Sequence, residues 1–296
     1  LSSRIIKAIL PVKSDVVFRL FFADERDMGD LTRFLKAFLL LSDDDYDEIE
    51  IADPHLLRDY DGDKLAIIDV KLRTKSKKTI HIEIQLRVTP ELKERVIYYS
   101  SKLITEQMGS GDNYDTIKKV ISIIITEETL IADSPEYHHR FVMFDQKSNV
   151  EFSDLLEIHT LELSKLPIDT DGTELYDWAK FINAETEEEL TMIAERNPQF
   201  QPTVVRLREL SGDEKARDLY ERREKARRDH NMFVRGAKQE GIIEGRREGR
   251  REGRVEGRVE ERFEIAMRLL ERGRPIEEIM EDTGLTHREI QRLQLQ

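Results

Sequence analysis

Two carboxylates, Asp69 and Glu83, stand inside apolar alternation in the stretch IIDVKLRTKSKKTIHIEIQLR, residues 67–87. Side chains alternate faces along a strand. Asp69 and Lys71 therefore share one face, and His81, Glu83 and Gln85 share one face of the next strand. Ile68, Val70, Ile82 and Ile84 point the other way, toward a core. A hairpin centred on Ser76 sets Asp69 opposite Glu83 and Lys71 opposite His81, with facing β-carbons roughly 4.5–5.5 Å apart. Carboxylates that close repel each other, and a divalent cation relieves the repulsion. Mg²⁺ takes a few carboxylate oxygens together with waters and phosphate oxygens. Held there, it generates hydroxide and stabilises charge building on a phosphodiester. Lys71 would stand beside the phosphate as a point charge. The competing reading is a solvated sheet face with lysine as ion partner.

The elements around this hairpin read as an α/β layer fold. SDVVFRLFF and DLTRFLKAFLLL have helical spacing, and SDDDYDEIEIADPHLL reads as an acidic loop leading to a short strand. TPELKERVIYYSSKLITEQM reads as a helix with Thr89 as N-cap and Pro90 in the first turn. TIKKVISIIIT is an apolar, β-branched central strand, and RFVMFD and EIHTLEL are two more strands. Arg95, Tyr98, Tyr99 and Lys102 fall on one broad face of the helix after the hairpin. His138 and His139 are adjacent, so their strand faces oppose and a shared metal is not expected. His159 reads as a residue at the sheet surface. No glycine-rich nucleotide loop and no serine or cysteine nucleophile motif is present.

Beyond about residue 170 the pattern is helical, with a capping box at Thr186 and Glu189. The expected organisation is a core over 1–170, a helical extension over 171–235, a Glu-Gly-Arg repeat as helix or linker over 236–265, and a helix-turn-helix-like tail over 266–296. In the repeat, glycines recur at 241, 245, 249, 253 and 257. Each costs a helix about 0.8–1 kcal/mol against alanine. Like charges at i, i+4 add a further mild penalty. Three readings stand: self-association of helices, a flexible charged linker, or an arm on DNA. In the tail, Gly284 marks a turn and Thr286 an N-cap. His287, Arg288 and Arg292 lie on a second helix, which either reads a major groove or only packs.

The 296 residues carry a net charge of −13, which argues against a general polyanion-coating protein. The acidity is uneven: residues 201–274 hold 21 Lys/Arg against 16 Asp/Glu. With no cysteine, disulfides and thiolate metal sites are excluded, as expected for a cytoplasmic protein. No apolar run approaches the roughly 20 residues that span a bilayer, and no signal peptide is visible.

IIDVKL and TIHIEIQ resemble the acidic core motifs of the PD-(D/E)XK nuclease superfamily. The flanks resemble one branch of it, the Rpn-type recombination-promoting nucleases, also described as transposases. PVKSDVVFRLFFAD is similar to that family's opening D-x-x-F-[KR]-x-x-F helix, and LKERVIYYSSKLITEQMGSGDNYD to its R-x-x-Y-Y and G-x-x-Y segment. IHTLELSKLP and LYDWAKFI are similar to further landmarks, so the resemblance covers residues 10–185 or so. It implies a mixed sheet flanked by helices, with a helical C-terminal extension. It also implies a Mg²⁺-dependent DNA endonuclease, with Asp69 and Glu83 as metal ligands. The family commonly carries glutamine where the superfamily has its lysine, so Gln85 fits, and Lys71 becomes the candidate cation. Asp15 matches the N-terminal acid that would complete the metal network, or it is a helix N-terminal acid. Arg95 and Tyr99 match family positions that would line the DNA cleft, with Lys102 beside them and Arg288 in the tail. The alternatives are a nuclease-fold DNA-binding or interaction protein without activity, and a transposition factor. The partners expected are DNA and further copies of the chain, joined through the C-terminal helical region, with no membrane.

Overall fold

The apolar β-branched runs pair into one six-stranded mixed sheet, and helices cover its two faces. The computed structural model describes residues 8–25, 27–39, 41–53 and 69–294, the Val255 side chain excepted. Ile68 lies outside them. In chain order the elements begin with α1 (Asp15–Phe22), α2 (Gly29–Phe38), α3 (Asp43–Asp47), β1 (Glu50–Ala52), β2 (Val70–Arg73) and β3 (Thr79–Gln85). There follow α4 (Leu92–Thr105), β4 (Val120–Thr126), β5 (His138–Asp145), β6 (Val150–Glu162), α5 (Glu174–Asn183), α6 (Glu187–Arg196) and α7 (Gln201–Gly212). Last come α8 (Glu214–Glu271), α9 (Ile276–Thr283) and α10 (His287–Gln294).

The strand order is β1-β2-β3-β4-β6-β5. β1, β2 and β3 pair antiparallel, β3, β4 and β6 parallel, and β5 returns antiparallel on β6. β4 lies in the middle with all seven residues buried. The register β2–β3 follows from the turn over residues 74–78, with Lys71 opposite His81 and Val70 opposite Ile82.

One sheet face is apolar. Ile80, Ile82, Ile84, Ile121, Ile123 and Ile125 join Phe18, Phe22 and Phe34 from α1 and α2 in a single core. Trp178, Phe181 and Phe200 complete it, with the Trp178 ring 5.8 Å from Phe22 and 5.7 Å from Phe34. The other face lies under α4, where Leu92 and Val96 meet Ile124, and Leu103 meets Val120.

Several expectations are revised. The acidic segment after Ser42 is a short helix, α3, rather than a loop. It forms because the buried Asp45 carboxylate is satisfied by Ser42, by Ser76 and by Lys78 at 2.7 Å. Asp45 thereby braces the β2–β3 turn. Thr89 does not cap α4, because residues 90–91 form a separate turn and the helix begins at Leu92. His159 is buried, 1 % exposed, because β6 is flanked on both edges and Phe38 covers the ring. The helices after residue 170 share the sheet's core, so the chain divides instead into Leu1–Arg223 and Glu224–Gln296.

In the second unit α8 continues through the whole glycine–charge repeat. Its last turns, with α9 and α10, close a small core of Ala266, Ile279, Leu285 and Ile290. Gly273 and Gly284 end helices in the left-handed region, at φ 70° and 67°, where an L side chain is strained. Thr286 and Glu289 cap α10 reciprocally.

The His138 and His159 rings stack, with Nε2 and Nδ1 2.9 Å apart, and His159 Nε2 lies 2.6 Å from Glu157 Oε1. Burial, followed by the charges of the other two histidines, pushes His138 down to about 4. The unfolded chain therefore takes up this proton first as pH falls. Stability should drop by about 1–2 kcal/mol between pH 6.5 and 4 from this residue. Denaturant unfolding over that range should show the drop in the wild type and a shallower one in His138→Gln.

Candidate active site

Because β3 alternates, Ile80, Ile82 and Ile84 enter the core while His81, Glu83 and Gln85 turn to the α4 face. Asp69 continues the β2 register toward Glu83, and its Oδ2 accepts the Ile84 backbone N–H at 2.7 Å. Burial raises the Asp69 carboxyl to about 6 against that hydrogen bond, and the charges of Glu83 and Asp15 add to the rise.

Glu83 is 5 % exposed and its two oxygens are treated differently. Oε1 accepts from Gln85 Nε2 and from Arg95 Nη2, both at 2.7 Å. Oε2 is buried with no hydrogen-bond partner, and so is His81 Nε2, 3.5 Å away. Burial alone would raise Glu83, but His81 and then Arg95 outweigh it and hold the group below the usual range. Behind His81 a chain of hydroxyls runs to α4: Ser122 Oγ lies 3.4 Å from Nδ1, Ser100 Oγ lies 2.8 Å from Ser122, and Ser100 donates to the Val96 carbonyl.

The structure thus gathers Asp69, Glu83, Gln85 and Arg95, with His81 and Tyr99 beside them. The Tyr99 ring lies 6.3 Å from His81, and its hydroxyl is pushed up by burial and by the Glu83 charge. The other candidates are engaged elsewhere. Lys71 is buried and its ammonium donates to Glu106 Oε2 at 2.9 Å. Lys102 is buried, with its ammonium 5.9 Å from the Tyr98 ring centre. Asp15 opens α1 and pairs with Arg223 at 2.5 Å. Arg288 is exposed on α10, in the second unit.

His81 shares the parity of Glu83, so its place was legible; its contact with Glu83 was not. Glu106 falls on the stripe 95, 99, 102, 106, a spacing that could have found it. Among the described residues no three His, Asp or Glu side chains gather to hold a metal. Asp15 pairs with Arg223, and its charge also bears on Asp69. Two carboxylates still fit a Mg²⁺ ion, which often takes only one or two from the protein. The donor-free Glu83 Oε2 and the mutual repulsion recorded at Asp69 are the features that a cation would answer.

A mixed sheet carrying this acidic pair between flanking helices is the PD-(D/E)XK α/β fold. The chain belongs to the PD-(D/E)XK nuclease family transposases, whose family model matches residues 12–237 and so spans the whole site. No curated protein and no solved structure matches the chain. No helix among the described residues is long and apolar enough to cross a membrane.

Removing the Asp69 charge should stabilise the metal-free protein. Its raised value means that the protonated form is favoured in the fold below about pH 4, a contribution lost as pH rises through 6. At pH 7–8 the charge is a net cost, so Asp69→Asn should gain about 1–2 kcal/mol. Thermal unfolding without divalent ions should show that gain at pH 8 and none below pH 4.

Proposed function

We propose that the chain is a metal-dependent DNA endonuclease that hydrolyses phosphodiester bonds at Asp69 and Glu83. The supporting observation is the asymmetry of Glu83, with two donors on one oxygen and none on the other. Asp69 and Glu83 would hold the Mg²⁺ or another divalent ion. When bound, that ion supplies an activated water and offsets charge on the phosphodiester. Gln85 and Arg95 fix the Glu83 carboxylate through Oε1, which leaves Oε2 toward His81 and without a donor of its own. Ile84 N–H fixes Asp69 in the same way, and the Asp15 charge bears on Asp69 without ligation. Tyr99 and Lys102 line the α4 side, and Arg288 contacts DNA from the tail. Further copies of the chain associate through the second unit.

Arg95 takes the role first expected of Lys71. Its side chain is one-third exposed and already meets Glu83, whereas Lys71 is held by Glu106. Held on Glu83 through Nη2, the guanidinium would offer its remaining donors to a phosphate oxygen, which its planar fork suits. Nuclease activity would serve recombination, mobile-element or defence processes. The family's description as transposases keeps strand transfer as a second reading.

Plasmid cleavage with Mg²⁺ should fall at least about 100-fold in Asp69→Ala and Glu83→Ala, the scale of losing a charge-stabilising group. Equal cleavage by all three proteins would leave a nuclease fold that only binds, and joined donor–target products would favour strand transfer.

Arg95→Met should lower cleavage by about 100-fold. Lys71→Met paired with Glu106→Gln, so that the half-buried carboxylate does not lose its ammonium partner, should lower it by less than about tenfold. The opposite order would return the role to Lys71.

A further inference from the structure

Along α8 every described residue from 232 to 262 is exposed, including Met232, Phe233, Ile242 and Ile243. A β-carbon built at Gly241, Gly245, Gly249, Gly253 or Gly257 meets nothing within 4 Å. Among the described residues from 240 to 258, no glutamate or arginine forms an ion pair within the chain. Glycine at each turn weakens a helix, and most helical stability in proteins comes from packing. Among the described residues, nothing covers this stretch.

Its charges identify what covers it. At 100° per residue, each glutamate sits 100° to one side of the glycine that follows it, and each arginine 100° to the other side. Glutamates 240, 244, 248, 252 and 256 thus form one rim of the glycine row, and arginines 246, 250, 254 and 258 the other. Residues 240–262 hold seven Glu and seven Arg, a balance that favours no polyanion. It favours a surface with the same two rims.

We infer that the glycine row of α8 docks on the same row of a second copy, with the two helices parallel. This rests on the self-association proposed above and adds its face and direction. A two-fold axis along the helices brings the Glu rim of one copy to the Arg rim of the other on both sides. Antiparallel pairing across a two-fold axis perpendicular to the helices sets Glu against Glu and Arg against Arg. A four-residue repeat drifts about 40° per step around a 3.6-residue helix. Contact therefore centres on about three glycines, Gly245, Gly249 and Gly253, where the absent β-carbons let the backbones approach. The helices cross there as ridges of i±4 spacing do.

The full chain has no cysteine, so a spin label at Gly236→Cys is unique in each copy. Light scattering should give twice the chain mass. Pulsed electron resonance should give a label separation below about 30 Å, whereas antiparallel pairing about Gly249 separates labels by about 39 Å at 1.5 Å per residue. Gly249→Leu, a substitution that favours the helix at its own position, should yield monomers by light scattering. A wild-type monomer overturns self-association altogether. A dimer with the long distance overturns only the parallel direction, and a dimer that Gly249→Leu leaves intact overturns the glycine row as its face.

Discussion

Neighbouring carboxylates repel where the effective dielectric is low, and the buried Glu83 beside the half-buried Asp69 imposes that constraint on everything around it. Glu83 is tolerated as an anion because Gln85 and Arg95 both donate to Oε1 while His81 faces Oε2. Among the described residues Asp69 accepts only the Ile84 N–H, and its raised protonation range registers the cost. The site is therefore poised to accept positive charge.

The opposite face of the sheet makes this arrangement tolerable. Alternation in β3 sends Ile80, Ile82 and Ile84 into a core closed by Phe22, Phe34 and Trp178, so the strand is anchored by burial on one side while its polar residues face α4. α4 lines that second face in turn. Leu92, Val96 and Leu103 pack on it, while Arg95 and Ser100 reach the polar groups. At the turn, Asp45 from α3 ties Ser76 and Lys78 and so keeps the β2–β3 register that brings Asp69 toward Glu83.

Much of the site was legible because it follows from short-range rules. Period-two alternation assigned the faces, the length of the 74–78 turn set Lys71 opposite His81, and helical spacing placed Arg95 and Tyr99 on one side of α4. What escaped depends on partners far along the chain. Lys71 read as a free cation because Glu106 lies 35 residues away. His159 read as exposed because nothing local shows that Phe38 covers β6. Composition placed a boundary near 170, whereas Trp178, Phe200 and Val204 complete the first core.

By itself, then, the sequence determined the strand faces, the hairpin register, the helix caps at Thr186 and Thr286, and the glycine row with its charged rims. All of these depend on residues within a turn or two of one another. Only the tertiary structure decided which cation serves which carboxylate: Arg95 on Glu83, Lys71 on Glu106, Arg223 on Asp15. Ion pairs form between side chains that folding brings within about 4 Å, and sequence separation puts no limit on that choice.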